Sequence, residues 1–326
     1  MTRKGLLNLT QERIVLLLTV VMFLIFSISI DRFLQADNIL SIVQNVSVLG
    51  ILGVGMAMSI IGRGIDLSVV AVMAYSVAWA LTLFNQDANL PLSLLFGLGF
   101  AVLVGLINGV LIAYVEIPAI FATLASGTAV AGFGQFFLVD TDVVFVPGSI
   151  GWLASIGSGR TFGVPNSVIS LAAVVVVLYW ILHRTVFGRY LFAMGDNPKA
   201  ARVAGIPVRP MMLAQYVLTA IIAFTAGLVT AMAVDSMNTR VVNSTLVYDV
   251  ILIAVIGGIS LSGGRGSVRN VLVGTVMIGV LLNGMTMLNM PYTAQNIVKG
   301  AILLIAIIAD SVVNPRDEQT SQQGDI

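Results

Sequence analysis

Long apolar runs follow one another along almost the whole chain, separated by short polar or glycine-rich stretches. Nine runs have roughly the 17–25 residues that a helix needs to cross a bilayer: Ile14–Ile30, Ile39–Ile61, Leu67–Phe84, Leu90–Val115, Ala119–Val139, Ser167–Leu182, Met211–Val234, Ser267–Leu288 and Ala294–Val313. A tenth run, Val250–Ser262, is shorter and rich in glycine. The runs are continuous rather than alternating, which favours helices over a barrel. The pattern predicts an all-α polytopic membrane protein of about ten transmembrane helices, some interrupted by glycine.

The composition supports this prediction and excludes several functions. Hydrophobic residues make up 58% of the chain, charged residues only 10%, and the mean hydropathy is +1.02. A soluble domain has about 25% charged residues, so this surface requires lipid as its solvent. The net charge of +1 gives no basic footprint for nucleic acid. The chain has no cysteine and the single histidine His183, which excludes disulfides and multi-histidine metal sites.

The distribution of lysine and arginine predicts the orientation. With ten crossings and a cytoplasmic N-terminus, twelve of the 16 basic residues lie inside, Lys299 lies within the last span, and Arg32, Arg160 and Arg240 lie outside. If Val250–Ser262 did not cross, the bias would fall to nine against six. Cytoplasmic loops carry an excess of basic residues, so we expect ten crossings and two cytoplasmic termini.

The predicted organisation is one membrane domain with little else. Residues 1–13 form a cytoplasmic N-terminus, residues 14–313 a single transmembrane domain, and residues 314–326 a polar, disordered cytoplasmic tail. The longest cytoplasmic connection is the loop 183–210. The longest external connection is 140–166, whose apolar stretches predict that it folds back against the membrane.

The loop 183–210 contains signals for a short helix. Asp196 or Asn197 is a suitable N-cap, Pro198 suits the first turn, and Gly205 suits the position after the last turn. About two turns, Lys199–Ala204, lie between them. So short a helix is unstable alone in water and needs a partner surface. An ordinary capped loop helix explains these residues equally well.

Two glycine-rich segments resemble each other. Gly64–Ser68 is similar to Gly258–Ser262, and Leu106–Gly109 is similar to Leu281–Gly284. These pairs are consistent with an internal duplication. Glycine-interrupted segments in corresponding positions of two halves are typical of a transport pathway. Close packing of helices is an equally good explanation.

Uncharged amides within or near the spans are candidates for a transport pathway, because an amide both donates and accepts and so suits a neutral polyhydroxylated solute. For any single amide, a hydrogen bond between helices is the more frequent role. Asp66 is expected to pair with Arg63, and Lys299 needs a partner or extends to the interface. The other acidic residues lie near span ends or in loops, which disfavours a proton-coupled carrier. The pathway candidates are Gln44, Asn45, Asp66, Asn108, Gln135, Gly257, Gly258, Asn283, Gln295 and Asn296.

Five short motifs occur in a characteristic order over roughly residues 35–310. They are Gly64–Val69 (GIDLSV), Phe121–Leu124 (FATL), Phe187–Tyr190 followed by Gly195–Ile206 (FGRY, GDNPKAARVAGI), Ile256–Ser267 (IGGISLSGGRGS) and Asn283–Gly284. Together they resemble the permease subunits of ribose-type ABC sugar importers, in the branched-chain amino acid/ribose permease superfamily.

The resemblance implies a function and a set of partners. The chain would be the membrane subunit of a bacterial inner-membrane importer, translocating a neutral sugar or polyol by alternating access. An extracytoplasmic binding protein would deliver the solute, and a second permease copy or a similar chain would complete the pathway. A separate ATPase would bind the coupling helix formed by Gly195, Asp196, Asn197, Pro198, Lys199, Ala200, Ala201, Arg202, Val203, Ala204 and Gly205.

ATP binding is expected in the partner and not in this chain. The sequence has no Gly-x-x-x-x-Gly-Lys-Ser/Thr loop, so we expect MgATP in the ATPase subunit, no cofactor in this chain and no enzymatic activity of its own. The alternative is an ATP-independent facilitator or secondary transporter for a small polar solute. The short helix Pro198–Gly205 discriminates between them, because only an ATP-driven permease needs a segment that an ATPase moves.

Overall fold

A computed structural model describes residues 11–313 of the chain, and within them every predicted apolar run contains a helix, which confirms the all-α polytopic class. Seven helical segments in this range are long and apolar enough to cross a membrane, and three shorter apolar helices accompany them. One of the seven, Ala119–Leu138, is α5 continued by a π-helical segment, Gly134–Leu138. The predicted tail 314–326 and most of the predicted N-terminus 1–13 lie outside the described residues. The helices are α1 (Gln11–Ser29), α2 (Ala36–Ile61), α3 (Val69–Asn85), α4 (Leu90–Ala113), α5 (Ala119–Phe133), α6 (Gly151–Ala154), α7 (Asn166–Arg184), α8 (Val186–Asp196), α9 (Pro198–Val203), α10 (Val208–Ala233), α11 (Leu246–Ile256), α12 (Val268–Met287) and α13 (Tyr292–Val313).

Each connection between consecutive helices lies at one of two opposite ends of the bundle, as contacts between distant segments show. We call the end that holds 61–68, 113–118, 184–208 and 257–267 the junction end. There Gly264 donates its N–H to the carbonyl of Ile61 (2.8 Å), and Arg209 pairs with Glu116 (2.9 Å). The connections alternate between the ends along the chain, and the last turn of α13 also reaches the junction end, where Asp310 accepts from the Leu261 N–H (3.1 Å). This alternation agrees with ten traversals.

The opposite end carries short strands, and we call it the hairpin end (30–35, 86–89, 139–165, 234–245 and 288–291). Strand β1 (Val143–Phe145) pairs antiparallel with β4 (Ser236–Asn238), and β2 (Arg160–Thr161) pairs with β3 (Val164–Pro165). Val144, Ile150 and Leu153 are buried there against the bundle. The apolar stretches of the loop 140–166 therefore pack on protein and not against the membrane as expected.

Close helix packing surrounds a core built on α2, α3 and α10, each of which buries more than half of its residues. Glycines of α4 permit its contact with α10. A methyl group at Gly105 would stand 2.8 Å from the Tyr216 carbonyl oxygen, and one at Gly109 would stand 2.7 Å from Cα of Leu213. Small residues four positions apart let two backbones approach, as is common between membrane helices.

The predicted tenth crossing, Val250–Ser262, is a broken helix. Helix α11 has 11 residues and spans about 16 Å, roughly half of a bilayer core. It ends where Gly258 adopts φ +82°, a left-handed conformation that glycine takes at little cost. Irregular backbone from 257 to 267 completes the traversal to the junction end. Buried inside protein, such backbone is tolerated at membrane depth.

Candidate transport pathway and coupling helix

The predicted short helix of the loop 183–210 is present as α9. Asn197, and not Asp196, is its N-cap: the Asn197 side-chain oxygen accepts from the N–H groups of Lys199 (3.1 Å) and Ala200 (3.0 Å). Gly205 follows the last turn with φ +82° and donates its N–H to the Arg202 carbonyl (3.0 Å). The preceding helix α8 was not predicted from the sequence, although Thr185 caps it by accepting from the Gly188 N–H.

Helix α9 buries one side and exposes the other. Ala201 is buried, whereas the side chain of Val203 is 91% exposed. Lys199, Ala200, Arg202, Ala204 and Gly205 are also exposed on this surface. The result is a short, capped helix that presents an isolated apolar side chain between basic residues.

A glycine junction joins α8 to both chain breaks. A methyl group at Gly195 would overlap the Ile61 carbonyl oxygen, and one at Gly264 would lie 2.5 Å from the Asp196 nitrogen. Arg63, in the first break (62–68), donates from Nε to the Ser262 carbonyl in the second (2.9 Å). The end of α8, which continues into α9, is therefore in backbone contact with the last residue of α2, directly before the first break, and with the second break.

Three of the predicted amides line a cavity of about 400 Å³ between α2, α10, α11 and α12. They are Gln44, Asn45 and Asn283. The cavity lies in the half of the bundle nearer the hairpin end. Thr230, Asp249 and Thr286 supply its other polar side chains, and aliphatic residues complete the wall. Amides and hydroxyls beside C–H surfaces suit a small neutral solute.

Asn283 also links two helices. Its Nδ2 donates to Asn38 Oδ1 (2.8 Å), and Asn38 Nδ2 donates back to Asn283 Oδ1 (3.2 Å). This is the interhelical hydrogen bond that the sequence analysis considered the more frequent role. Asn283 thus holds α2 against α12 at the edge of the cavity.

A buried ion pair lies beside the same cavity. Lys299 Nζ stands 2.8 and 3.0 Å from the two carboxylate oxygens of Asp249 and donates to Thr245 Oγ1 (2.9 Å). Lys299 therefore has the partner that its position in a span requires. Asp249 lies in the first turn of α11, near the span end where the sequence places it, and it meets Lys299 about 10 Å into α13. The unmatched lysine was the signal that could have identified it.

Asp66 and Asn108 belong to a separate buried network at the junction end. The Asp66 carboxylate accepts from the N–H (3.0 Å) and the hydroxyl (2.5 Å) of Ser68, and Asn108 Nδ2 donates to that hydroxyl (2.9 Å). The expected local pairing with Arg63 is thus replaced by bonds that hold the start of α3. Burial raises the pKa of Asp66, which lies between α2 and α3, to about 6.

The remaining candidates are dispersed. Asn296 accepts from Thr245 and lines a second cavity of about 180 Å³ with Asp249 and Lys299. Gln295 donates to the Met290 carbonyl, and Gln135 accepts from the Tyr75 hydroxyl. Gly257 and Gly258 lie in the second break, at the junction end. The structure therefore groups Gln44, Asn45 and Asn283, places Asn296 next to them, and separates the other six.

Comparison with known proteins identifies the family. The profile of the family described as "branched-chain amino acid transport system / permease component" matches residues 38–307. This chain belongs to that permease family. The match confirms the resemblance found in the motifs.

Individual relatives match over most of the chain. The ribose import permease protein RbsC of Escherichia coli K12 is 30% identical over 93% of this chain and 94% of its own length. RbsC of Bacillus subtilis is 32% identical over 89% of each chain. The fructose import permease protein FrcC of Rhizobium meliloti is 32% identical over 86% of this chain and 79% of its own. The matches favour the permease interpretation over a facilitator.

Proposed function

We propose that the chain is the permease subunit of an ATP-driven importer that carries a neutral sugar or polyol across the bacterial inner membrane. The observation that carries the proposal is α9, which is capped and exposed and is linked through the end of α8 to the end of α2 and to the second break. Similarity to ribose and fructose import permeases supports the class of solute. The uncharged amides of the cavity support it independently.

The junction end faces the cytoplasm in this proposal. Among the described residues, the hairpin end has the basic residues Arg32, Arg160 and Arg240. The excess at the junction end favours a cytoplasmic location by the positive-inside rule. Both termini then lie inside. The basic residues of the junction end are Arg63, Arg184, Arg189, Lys199, Arg202, Arg209, Arg265 and Arg269.

Three kinds of partner complete the importer. ATPase subunits bind α9 and hydrolyse MgATP outside this chain. A second copy of the permease, or a similar chain, encloses the pathway with it. An extracytoplasmic binding protein docks at the hairpin end near 140–166 and delivers the solute.

The contacts of α9 supply a mechanism for alternating access. Closure of the ATPase dimer would push α9 and α8, and the glycine junction would pass that movement to the breaks 62–68 and 257–267. Because backbone contacts hold these segments together at the junction, they move as one rigid unit. The breaks begin α3 and end α11, so their displacement changes which side the cavity faces.

A charge on the exposed tip of α9 tests this proposal. We expect Val203→Asp to abolish ATPase binding and ATP-driven uptake, because the aspartate stays solvated on α9 but cannot enter an apolar contact. Val186→Asp is the matched control, since Val186 is exposed at the same end of the bundle but at the start of α8. Co-purification of the ATPase and uptake by proteoliposomes are the measurements. Normal uptake by Val203→Asp would contradict the proposal.

A second variant distinguishes the exposed surface of α9 from its packing against the rest of the protein. Ala201 lies on the buried side of α9, so Ala201→Asp would displace the helix itself. We expect loss of uptake in both variants, but reduced thermal stability only in Ala201→Asp. Full uptake without any ATPase would support a facilitator instead.

A further inference from the structure

The ion pair between Asp249 and Lys299 has no role in the coupling mechanism, although both residues are buried. Burying two charged side chains costs more free energy than burying an apolar pair of similar size. Stability alone would therefore be served better by an apolar pair. Ionisable residues inside membrane proteins usually face a pathway or a cavity. The position of this pair therefore points to function.

Asp249 is the residue that the two neighbouring cavities share. It lines the 400 Å³ cavity, and it lines the 180 Å³ cavity together with Lys299 and Thr245. The Asp249 carboxylate has about four lone-pair sites, and Lys299 uses two of them. Acceptor capacity is therefore left over on a carboxylate beside a cavity.

The larger cavity also holds amides that are free to bind. Gln44 and Asn45 are exposed to it, and neither side chain makes a hydrogen bond within residues 11–313. Their donors complement the carboxylate acceptor. Because Lys299 neutralises Asp249, the set as a whole carries no net charge and gives no advantage to an ionic solute.

We propose that Asp249 is a solute-contacting residue that accepts a hydrogen bond from a hydroxyl group of a neutral polyhydroxylated solute, with Lys299 as its positioning residue. The Gln44 and Asn45 amides bind further hydroxyl groups. A hydrogen bond to a charged acceptor is stronger than one between neutral groups. This contact therefore makes transport selective for solutes that carry one particular hydroxyl group. The inference rests on the proposed import function and names the residue through which it selects its solute.

The test removes both charges without leaving one unpaired. The double variant Asp249→Leu/Lys299→Met keeps similar volumes, and Glu116→Gln/Arg209→Met removes an exposed ion pair at the junction end as the control. Each permease is reconstituted in vesicles with its ATPase and binding protein. Uptake is measured first for a panel of radiolabelled pentoses, hexoses and sugar alcohols. The best substrate is then compared with its singly deoxygenated analogues.

The measured quantity is the preference for the parent sugar over each analogue, divided by the same preference in the wild type. The contribution of the binding protein cancels in this ratio. We expect the preference against one analogue to fall at least fivefold in the double variant and to stay unchanged in the control, while ATP hydrolysis stimulated by the loaded binding protein persists in both. An unchanged preference in the double variant would overturn the inference.

A purely structural pair gives a different pattern. Thermal stability and assembly with the ATPase would fall together with uptake of all sugars, with every preference preserved, and this would also overturn the inference. Absence of ATP-driven uptake of the whole panel by the wild type would instead refute the proposed function, and the inference with it. Uptake with an unchanged preference refutes the inference alone.

Discussion

The junction and the cavity are built in opposite ways. At the junction, Gly195 and Gly264 bring three backbones together with no room for a methyl group. In the cavity, side chains of four helices stand apart and leave about 400 Å³ empty. Dense backbone packing transmits a displacement, whereas a cavity with unused amides binds a small molecule reversibly. We propose that this difference separates the segment that passes on movement from the region that meets solute.

The largest effect is expected from filling the junction. Gly195→Ala would place a methyl group on the Ile61 carbonyl oxygen, so α8 would have to move away from α2. We expect uptake to fall by at least tenfold, together with lower thermal stability of the complex. Gly99→Ala is the matched control, because no atom lies within 4 Å of its added methyl group. Equal uptake by the two variants would refute a tightly packed junction.

The next effect concerns the ion pair beside the cavity. Lys299→Met leaves Asp249 buried without its cation, which typically costs about 3–5 kcal/mol, while Asp249→Leu/Lys299→Met leaves no buried charge. We expect the single variant to be much less stable than the double variant in a thermal unfolding assay in detergent. If both variants unfold at the same temperature, the two side chains are not energetically coupled.

A smaller effect is expected at the cap of α9. Asn197→Ala removes the acceptor for two backbone N–H groups, which costs about 1 kcal/mol, so the affinity for the ATPase should fall by up to about tenfold. Asn197→Asp retains an acceptor and should bind normally. Titration of the ATPase against the reconstituted permease measures both. A wild-type affinity for Asn197→Ala would show that the cap does not organise the contact surface.

The smallest effect is expected at Asp66. Its pKa of about 6 lies above the usual value, so the protonated form is favoured by folding and stability should decrease as the pH rises from about 4 through 6. Asp66→Asn keeps an oxygen acceptor for Ser68 and removes the titration. We expect the melting temperature of the variant to vary less with pH between 4 and 7. The same pH dependence in the variant and the wild type would contradict this.

Local signals in the sequence predicted most of the helices and the geometry of α9. Apolar runs are long enough to identify spans without any knowledge of packing, and Asn197, Pro198 and Gly205 are strong capping signals. Helix α8 was missed because it is amphipathic and lies against protein instead of crossing the membrane. Helix α11 ends where Gly258 adopts a left-handed backbone conformation, which composition does not reveal.

The grouping of the candidate site residues depends on tertiary contacts and could not be predicted from local sequence. Gln44, Asn45 and Asn283 come from two helices far apart in sequence and meet only in the folded bundle. Asp66 was given a neighbouring partner, yet the fold brings Asn108 to the same Ser68 hydroxyl. The pairing of Asp249 with Lys299 joins residues 50 positions apart, and only the need of a buried lysine for an anion anticipated it.

In the proposed mechanism, α9 controls access to the cavity. The chain has no cysteine, so Ala233→Cys on the cavity wall provides a single labelling site. The measurement is the rate at which a membrane-impermeant thiol reagent labels this cysteine from the external side, with and without ATP bound to the complex. We predict that the rate changes at least fivefold between the two states and that Val203→Asp abolishes the change. A rate that does not respond to ATP in the otherwise wild-type complex would contradict the account.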